Sequence, residues 1–171
     1  MFLNTMRLAA FAALMSFQYQ AWSNQPADES KLPIQIEANQ LEAQDQSGIT
    51  IYSGDVVANQ GSMTLKGDRI EIQHPERQLQ IITANGQPAT FRRFEPQEQA
   101  WINGRADTII YYAQERKVHL IGKAYLEQEG AHDIQGPKLI YDLDALTLNA
   151  GSTEQETGRI IMTITPKEDN E

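Results

Sequence analysis

Histidines and carboxylates are the residues of this 171-residue chain that could do chemistry. His74, His119 and His132 lie far apart in the sequence, and no two of them have the spacing of a metal-binding helix or loop. The nearest polar constellation is Glu129, His132 and Asp133, which is more typical of a solvated turn than of a metal site. The sequence therefore predicts no metal site and no cofactor.

Motifs for covalent or phosphoryl chemistry are missing from the sequence. It contains no cysteine, no nucleophile elbow and no glycine-rich phosphate loop. Paired carboxylates could hydrolyse sugars on a β-solenoid, but the Asp and Glu residues fall mostly at turns or at outward-facing strand positions. We therefore predict that the protein is not an enzyme, and we keep a polysaccharide-active β-solenoid enzyme as the less favoured alternative.

Residues 1–23 have the features of a secretory signal peptide. Arg7 precedes an apolar run from Leu8 to Phe17, and Ala21 and Ser23 are small residues at the expected cleavage site. The run is shorter than the roughly 20 residues that span a bilayer. We expect an exported protein that begins at Asn24.

The charge balance excludes some partners. The chain has 14 basic and 23 acidic residues, and loss of Arg7 with the signal peptide leaves a net charge near −10. Such an acidic chain is a poor ligand for nucleic acid or for anionic membrane surfaces. Without cysteines, its stability has to come from apolar burial and backbone pairing.

Short runs of alternating apolar and polar residues fill the chain after Pro33. Examples are "GITIYSG" (48–54), "SMTLKG" (62–67) and "RIEIQ" (69–73), and glycines punctuate them. This pattern predicts an all-β domain of many short antiparallel strands over residues 34–166. The polar residues 24–33 are expected to form a flexible leader, and residues 167–171 a polar tail.

A repeated phrase divides the domain into two similar halves. "YSGDVVANQG" (52–61) returns as "LIGKAYLEQEG" (120–130). The constant offset of 68 residues relates four pairs: Ala38 and Ala106, Leu41 and Ile109, Gly54 and Gly122, and Gln60 and Gln128. Within the halves, four units of about 30 residues each place an aliphatic residue three positions after a small one. Such units build either a stacked solenoid or a two-sheet jelly roll.

Strand periodicity predicts which side chains point inward. Because alternate residues of a strand share a face, the aliphatic residue of each unit and the residue two positions later point the same way. The predicted inward pairs are Leu41 and Ala43, Ile70 and Ile72, Ile109 and Tyr111, and Leu139 and Tyr141. An ordinary closed core would use the same residues, so a periplasmic structural adaptor remains an alternative to a binding protein.

Behind the signal peptide, three stretches follow in order: "GDVVANQGSMTLKGDRIEI" (54–72), "NGQPATF" (85–91), and "GKAYLEQEG" (122–130) with "IQGPKLIYD" (134–142). Together they resemble the OstA-like family of lipopolysaccharide transport proteins, over about residues 33–165. The resemblance implies a periplasmic, twisted and incompletely closed β-jellyroll. Such a protein holds the acyl chains of lipid A and stacks head to tail in a bridge from the inner to the outer membrane.

The resemblance also implies which residues contact lipid. The family's lipid-contacting positions correspond to Ile34, Ile36, Phe91 and Tyr111. Together with the inward rows, the predicted lipid-binding interior is Ile34, Ile36, Leu41, Val56, Leu65, Ile70, Ile72, Phe91, Ile109, Tyr111, Leu120, Leu126, Leu139 and Tyr141. We expect local cations, namely Arg92, Arg93 and Lys123, to matter more to a phosphorylated ligand than the net charge does, because distant charges are screened.

The two terminal strands carry no feature that would block further strand pairing. "IQIEA" (34–38) and "RIIMTIT" (159–165) are apolar and free of proline. The predicted partner edges are Ile34 and Ile36 at one end, and Ile160, Met162 and Ile164 at the other. The resemblance implies an inner-membrane LptC-like protein at the N-terminal edge, the N-terminal domain of an outer-membrane LptD-like protein at the C-terminal edge, and head-to-tail self-association.

Overall fold

Antiparallel strands make up most of the regular structure. The structure is a computed structural model that describes residues 28–44, 47–152 and 157–166. In these ranges the strands are β1 (Gln35–Glu37), β2 (Gln40–Gln44), β3 (Ile49–Gln60), β4 (Met63–Gln73), β5 (Ile81–Glu95), β6 (Ala100–Tyr112), β7 (Lys117–Gln128), β8 (His132–Asp142), β9 (Thr147–Gly151) and β10 (Ile161–Ile164). Two 3₁₀ turns, Glu29–Lys31 and Pro75–Arg77, are the helical segments of this part of the chain.

Some of the sequence predictions concern residues without a described structure. The predicted signal peptide, the leader up to residue 27 and the tail lie outside the described residues. Within the described ranges, no helix is long and apolar enough to cross a membrane.

All ten strands join in one open antiparallel sheet. The long strands β3 to β8 pair in chain order. At one end β1 and β2 each pair with a different half of β3, and at the other end β9 and β10 each pair with a different half of β8. In the described ranges these two ends do not pair with each other. The prediction of an incompletely closed all-β fold is confirmed.

A bend near the middle of each long strand folds the sheet on itself. Each of the five neighbouring pairs of long strands has a register shift near its midpoint. In the repeated phrase, Gly54 and Gly122 have φ angles of 82° and 78°, and the next residues, Asp55 and Lys123, also have positive φ. A Cβ on either glycine would come within 2.7 Å of a neighbouring side chain. The phrase recurs because the bend needs a glycine.

The bends divide the strands into two facing layers. Layer A contains β2, β9 and the strand halves 49–53, 69–73, 81–85, 108–112, 117–121 and 138–142. Layer B contains β1, β10 and the strand halves 56–60, 63–67, 89–95, 100–105, 124–128 and 132–136. The inward side chains of both layers form one apolar cluster. At its centre the layers are in contact, because a Cβ on Gly104 of layer B would lie 2.8 Å from Leu120 Cδ2 of layer A.

The strands are longer than the alternating runs predicted. The runs are four to eight residues long, whereas β5 has 15 residues and β6 has 13. The prediction of separate short strands is wrong at Gly54, where "GITIYSG" continues into "DVVANQ" within β3. The physical reason is that a glycine with positive φ fits a β-bulge as well as a turn, so the sequence pattern does not distinguish the two.

Candidate functional site

The histidines of the chain are held in separate local contacts. His74 Nε2 lies 2.8 Å from Thr50 Oγ1, and the His119 ring packs on Tyr112 with 4.7 Å between centroids. Burial, with the charge of Lys138, lowers the pKa of His119. Among the described residues no group of three or more His, Cys, Asp or Glu side chains could hold a metal ion. These contacts assign no chemistry to the histidines, so the candidate site is the apolar interior and its open ends.

Most of the predicted interior residues lie in one core cluster. Eleven of the fourteen are buried, and these are Val56, Leu65, Ile70, Ile72, Phe91, Ile109, Tyr111, Leu120, Leu126, Leu139 and Tyr141. Ile34 and Ile36 are half-buried and pack against the same cluster. The interior is therefore continuous from the first strands to the last, and its centre is close-packed.

Leu41 and Ala43 of the predicted inward rows are exposed. Leu41 pairs with Tyr52, and Tyr52 pairs with the buried Ile70, so register places Leu41 on the inner face of layer A. Its side chain is nevertheless 62% exposed, because β2 is the end strand of that layer. Leu41 therefore faces inward, as the alternation predicts, but no neighbouring strand covers it.

A cavity opens at the end of the jellyroll that carries β1 and β2, and its lining combines apolar side chains with the polar residues Ser30, Thr50, Gln60, His74 and Arg77. This N-terminal cavity has a volume of about 360 Å³ and lies between the two layers. Its apolar lining consists of Leu32, Ile34, Ile36, Tyr52, Ile72 and Leu79. Two of the predicted lipid-contacting residues, Ile34 and Ile36, thus line an open space rather than the close-packed centre.

The end of the predicted leader packs across the rim of the N-terminal cavity. Gln60 Nε2 donates hydrogen bonds of 2.9 Å to the carbonyl oxygens of Ser30 and Leu32. Ser62 donates from its backbone N–H and its hydroxyl to the Glu29 carboxylate. Polar side chains of the β3–β4 hairpin therefore hold the part of the predicted leader that the structure describes.

Gln60→Glu is expected to release this segment. A carboxylate cannot donate to the two carbonyl oxygens and repels them, so loss of both bonds favours detachment by at least about 1.4 kcal/mol. Trypsin cleavage after Lys31, followed by mass spectrometry, should accelerate about tenfold or more. Gln128→Glu, at the corresponding position of the second repeat, is the control and should leave cleavage unchanged. Equal acceleration by both variants would contradict the role of Gln60.

A second cavity, also lined by apolar side chains and by the polar residues Glu98, Gln128 and His132, lies at the opposite end of the interior. This C-terminal cavity has a volume of about 370 Å³. Its apolar lining consists of Ile102, Leu126, Ala131, Tyr141, Leu146 and Leu148, which come from both layers. The apolar interior is therefore accessible at each end, whereas its middle is filled by side chains.

The last strand leaves apolar side chains uncovered at the C-terminal edge. Met162 pairs with the buried Ile134, so Met162 and its alternate neighbours Ile160 and Ile164 lie on the inner face of layer B. Met162 is 51% exposed and Ile164 is 69% exposed, because β10 is the end strand. These predicted edge residues form an uncovered continuation of the interior.

The sequence also matches a known family over most of this domain. A family profile described as "LptA/(LptD N-terminal domain) LPS transport protein" matches residues 35–146. The chain belongs to this family. The resemblance inferred from the repeated phrase is thereby confirmed.

Curated members of the LptA/LptD N-terminal domain family align along most of the chain. Lipopolysaccharide export system protein LptH of Pseudomonas aeruginosa is 32% identical over 148 residues, which cover 83% of each chain. Lipopolysaccharide export system protein LptA of Escherichia coli K12 is 30% identical over 111 residues, which cover 64% of this chain and 59% of that protein.

A solved structure of the same family has the same fold. The crystal structure of LptH, described as the LptA-homologous periplasmic component of the lipopolysaccharide transport device of Pseudomonas aeruginosa, superposes with a TM-score of 0.75. The match covers 81% of this chain and 99% of that chain at 31% sequence identity. The β-jellyroll fold predicted from the sequence is confirmed.

The sequence pattern did not lead us to predict a buried ion pair between Arg93 and Glu95. Arg93 Nη1 lies 3.1 Å from Glu95 Oε2, and their side chains are 12% and 3% exposed. Arg93 also donates to the Leu143 carbonyl oxygen, which lies in the turn after β8 of layer A. Burial, followed by the Glu95 charge, raises the pKa of Tyr141 to about 12. The sequence does contain a sign of this pair: Phe91, Arg93 and Glu95 alternate along β5, so all three lie on the inner face.

Arg93 was predicted as a cation available to a phosphorylated ligand. Its pairing with Glu95 neutralises it inside the fold. Removal of either partner of this buried pair would leave an uncompensated charge. The hydrogen bond from Arg93 to the Leu143 carbonyl oxygen also connects layer B to the turn after β8. Arg92 and Lys123, the other two predicted cations, lie on the outer surface.

Proposed function

We propose that this chain binds lipopolysaccharide by the acyl chains of lipid A and relays it across the periplasm, from the inner to the outer membrane. The single observation that carries the proposal is the continuous apolar interior with a cavity at each end. The names of LptH and LptA as lipopolysaccharide export proteins support the choice of ligand.

Acyl chains would bind by burial alone. Each methylene taken out of water contributes about 0.8 kcal/mol, so several acyl chains would bind tightly without a charged anchor. The two cavities, of about 360 and 370 Å³, provide the first apolar contacts. No bond is made or broken in this process, so we assign no catalytic step to the protein.

Entry of lipid between Phe91 and Leu120 requires the two layers to separate. The bulges are the natural hinge, because the ladder of backbone hydrogen bonds is already interrupted there. Rotation at the bulges leaves the pairing within each layer intact. The acyl chains would rebury the side chains that separation exposes, which offsets the cost of opening.

The open sheet ends support a bridge with partners of the same fold. An inner-membrane LptC-like protein would add to β1 and β2, and the N-terminal domain of an outer-membrane LptD-like protein would add to β9 and β10. Further copies of this chain would add head to tail, since β9 and β10 of one copy would meet β1 and β2 of the next. The exposed inner faces of Leu41 and Met162 would then become part of one extended interior.

A structural adaptor with a permanently closed core is the second candidate. The observation that favours it is the close packing at the centre, where Ile109, Leu120 and Leu139 are fully buried. The adaptor and the carrier share the same edges and differ only in whether lipid enters.

Mass spectrometry of the mature protein purified from its periplasm tests the carrier against the adaptor. We expect copurified lipid A at a substantial fraction of one molecule per chain, with phospholipid well below it. A periplasmic protein of similar net charge, purified in parallel, is the control. Absence of lipid A, or equal recovery with the control protein, would refute the carrier and leave the adaptor.

A further inference from the structure

Cations are concentrated on the outer face of layer B, although the whole chain is acidic. Lys66 pairs with Thr90, and Thr90 pairs with Arg105, so these residues form one row across β4, β5 and β6. Arg92 is two residues along β5 from Thr90 and shares its face. Since adjacent strands are about 4.8 Å apart, the three cations surround Thr90 within roughly 10 Å.

Both arginines of this face lie over aromatic rings. Arg92 Cζ lies 4.0 Å from the centroid of the Trp101 ring, and Arg105 Cζ lies 3.8 Å from that of Tyr125. Stacking restricts the guanidinium groups and leaves their N–H edges free to donate. The arginines are therefore ordered before any ligand arrives, which lowers the entropic cost of binding.

A cavity of about 390 Å³ lies among these cations, within the range of roughly 300–1,000 Å³ of small-ligand sites. Its lining includes the cations Lys66, Arg92 and Arg105, one carboxylate, that of Glu127, and the neutral hydrogen-bonding residues Thr64, Thr90 and Asn103, so positive charge is in excess. A second cavity of about 680 Å³ shares Arg105 and adds Lys123. The two cavities thus continue one basic surface.

The charge of this surface is only partly compensated. Arg92 is 3.8 Å from the Glu129 carboxylate, and Lys123 is 3.7 Å from that of Asp107, and exposed pairs at such distances are weak. In the described part of the chain, neither Lys66 nor Arg105 has a carboxylate within 4.0 Å. The cavity retains an excess of positive charge.

We propose that this outer face binds a saccharide that carries a phosphomonoester. The three cations around Thr90 fit the phosphate, because two guanidinium forks and an ammonium match its three terminal oxygens. The Thr90 hydroxyl fits a sugar hydroxyl. Thr64 donates to Asn59 Oδ1 and the Asn103 amide donates to Glu129 Oε1, so each offers its oxygen as an acceptor to a sugar hydroxyl. This site is separate from the apolar interior, because its residues alternate with the inward Leu65 and Phe91. The inference therefore goes beyond the proposed carriage of acyl chains.

Calorimetric titration in phosphate-free buffer tests the site with two ligands that each carry a phosphorylated sugar. Glucosamine 1-phosphate represents a soluble sugar phosphate, and vesicles that contain lipid A represent a glycolipid headgroup. Glucose is the uncharged comparison and should not bind. The test variant is K66Q/R105Q, and the control variant, with the same change in net charge, is R69Q/K117Q, whose residues line neither these two cavities nor the cavities at the ends of the interior.

At least one of the two phosphorylated ligands is expected to bind the unmodified protein. The Kd should rise at least tenfold in K66Q/R105Q, stay within about twofold in R69Q/K117Q, and rise with salt. Binding of glucosamine 1-phosphate assigns a soluble ligand, and binding of the vesicles alone assigns a headgroup. Binding of neither, or equal loss in both variants, would overturn the proposal. Lipid A that copurifies in the interior should be unchanged in K66Q/R105Q, so failure here is distinguishable from failure of the carrier function.

Discussion

Lipopolysaccharide is expected to crosslink in cells to a photoreactive phenylalanine analogue placed at Phe91. Phe91 lies in the core of layer B and pairs with Gly104, whose missing side chain leaves the ring beside Leu120 of layer A. An acyl chain that separates the layers has to pass this ring. Immunoblotting for lipopolysaccharide after irradiation should show a strong adduct, with a second one from Ile36 at the N-terminal cavity.

Glu71 is the matched control for these crosslinks. It lies between the buried Ile70 and Ile72 in β4, so its side chain faces outward from layer A. It lies in layer A, away from the basic face of layer B where we propose that a headgroup binds. Labelling from Glu71 as strong as that from Phe91 would contradict an interior path. Ile36, which is only half-buried, keeps the test valid if the analogue at Phe91 prevents folding.

Acidic residues at Met162 and Ile164 together are expected to stop head-to-tail growth. In a stack, the next copy would cover these inner-face side chains, which are half-exposed or more in the single chain. Their burial would contribute about 2–4 kcal/mol in total, so the double variant M162E/I164E should weaken association by roughly 30- to 700-fold. Sedimentation over a range of concentrations should show growing oligomers for the unmodified chain and monomer for the variant.

I161E/T163E is the control, since these residues alternate with the other two and point to the outer face of β10. It retains the same backbone edge and the same added charge, so it should associate with far smaller loss. Circular dichroism should report unchanged strand content for both variants. A third variant that lacks residues 159–171 should also fail to bridge. Continued polymerisation of M162E/I164E would place the assembly surface elsewhere.

Local pattern predicted the strands and the faces of their side chains. The alternation around Ile70 and Phe91 identified the inner face correctly, because the period of two is a property of the extended backbone itself. The same rule, extended to Arg93 and Glu95, would also have found the buried ion pair. A sequence pattern is seldom used to predict that a charged side chain lies in a core, because its burial requires a partner that the sequence does not identify.

The sequence by itself determined that the chain is all-β, that it contains two similar halves, and which residues alternate inward. The repeated phrase around Gly54 and Gly122 also indicated the family to which the chain belongs. Tertiary structure alone decided which inward residues are covered. Leu41 and Ile109 are equivalent in the repeat, yet Leu41 is 62% exposed and Ile109 is fully buried. The reason is that burial depends on neighbouring strands: Ile109 lies on a central strand beneath the opposite layer, whereas Leu41 lies on an end strand that this chain leaves uncovered.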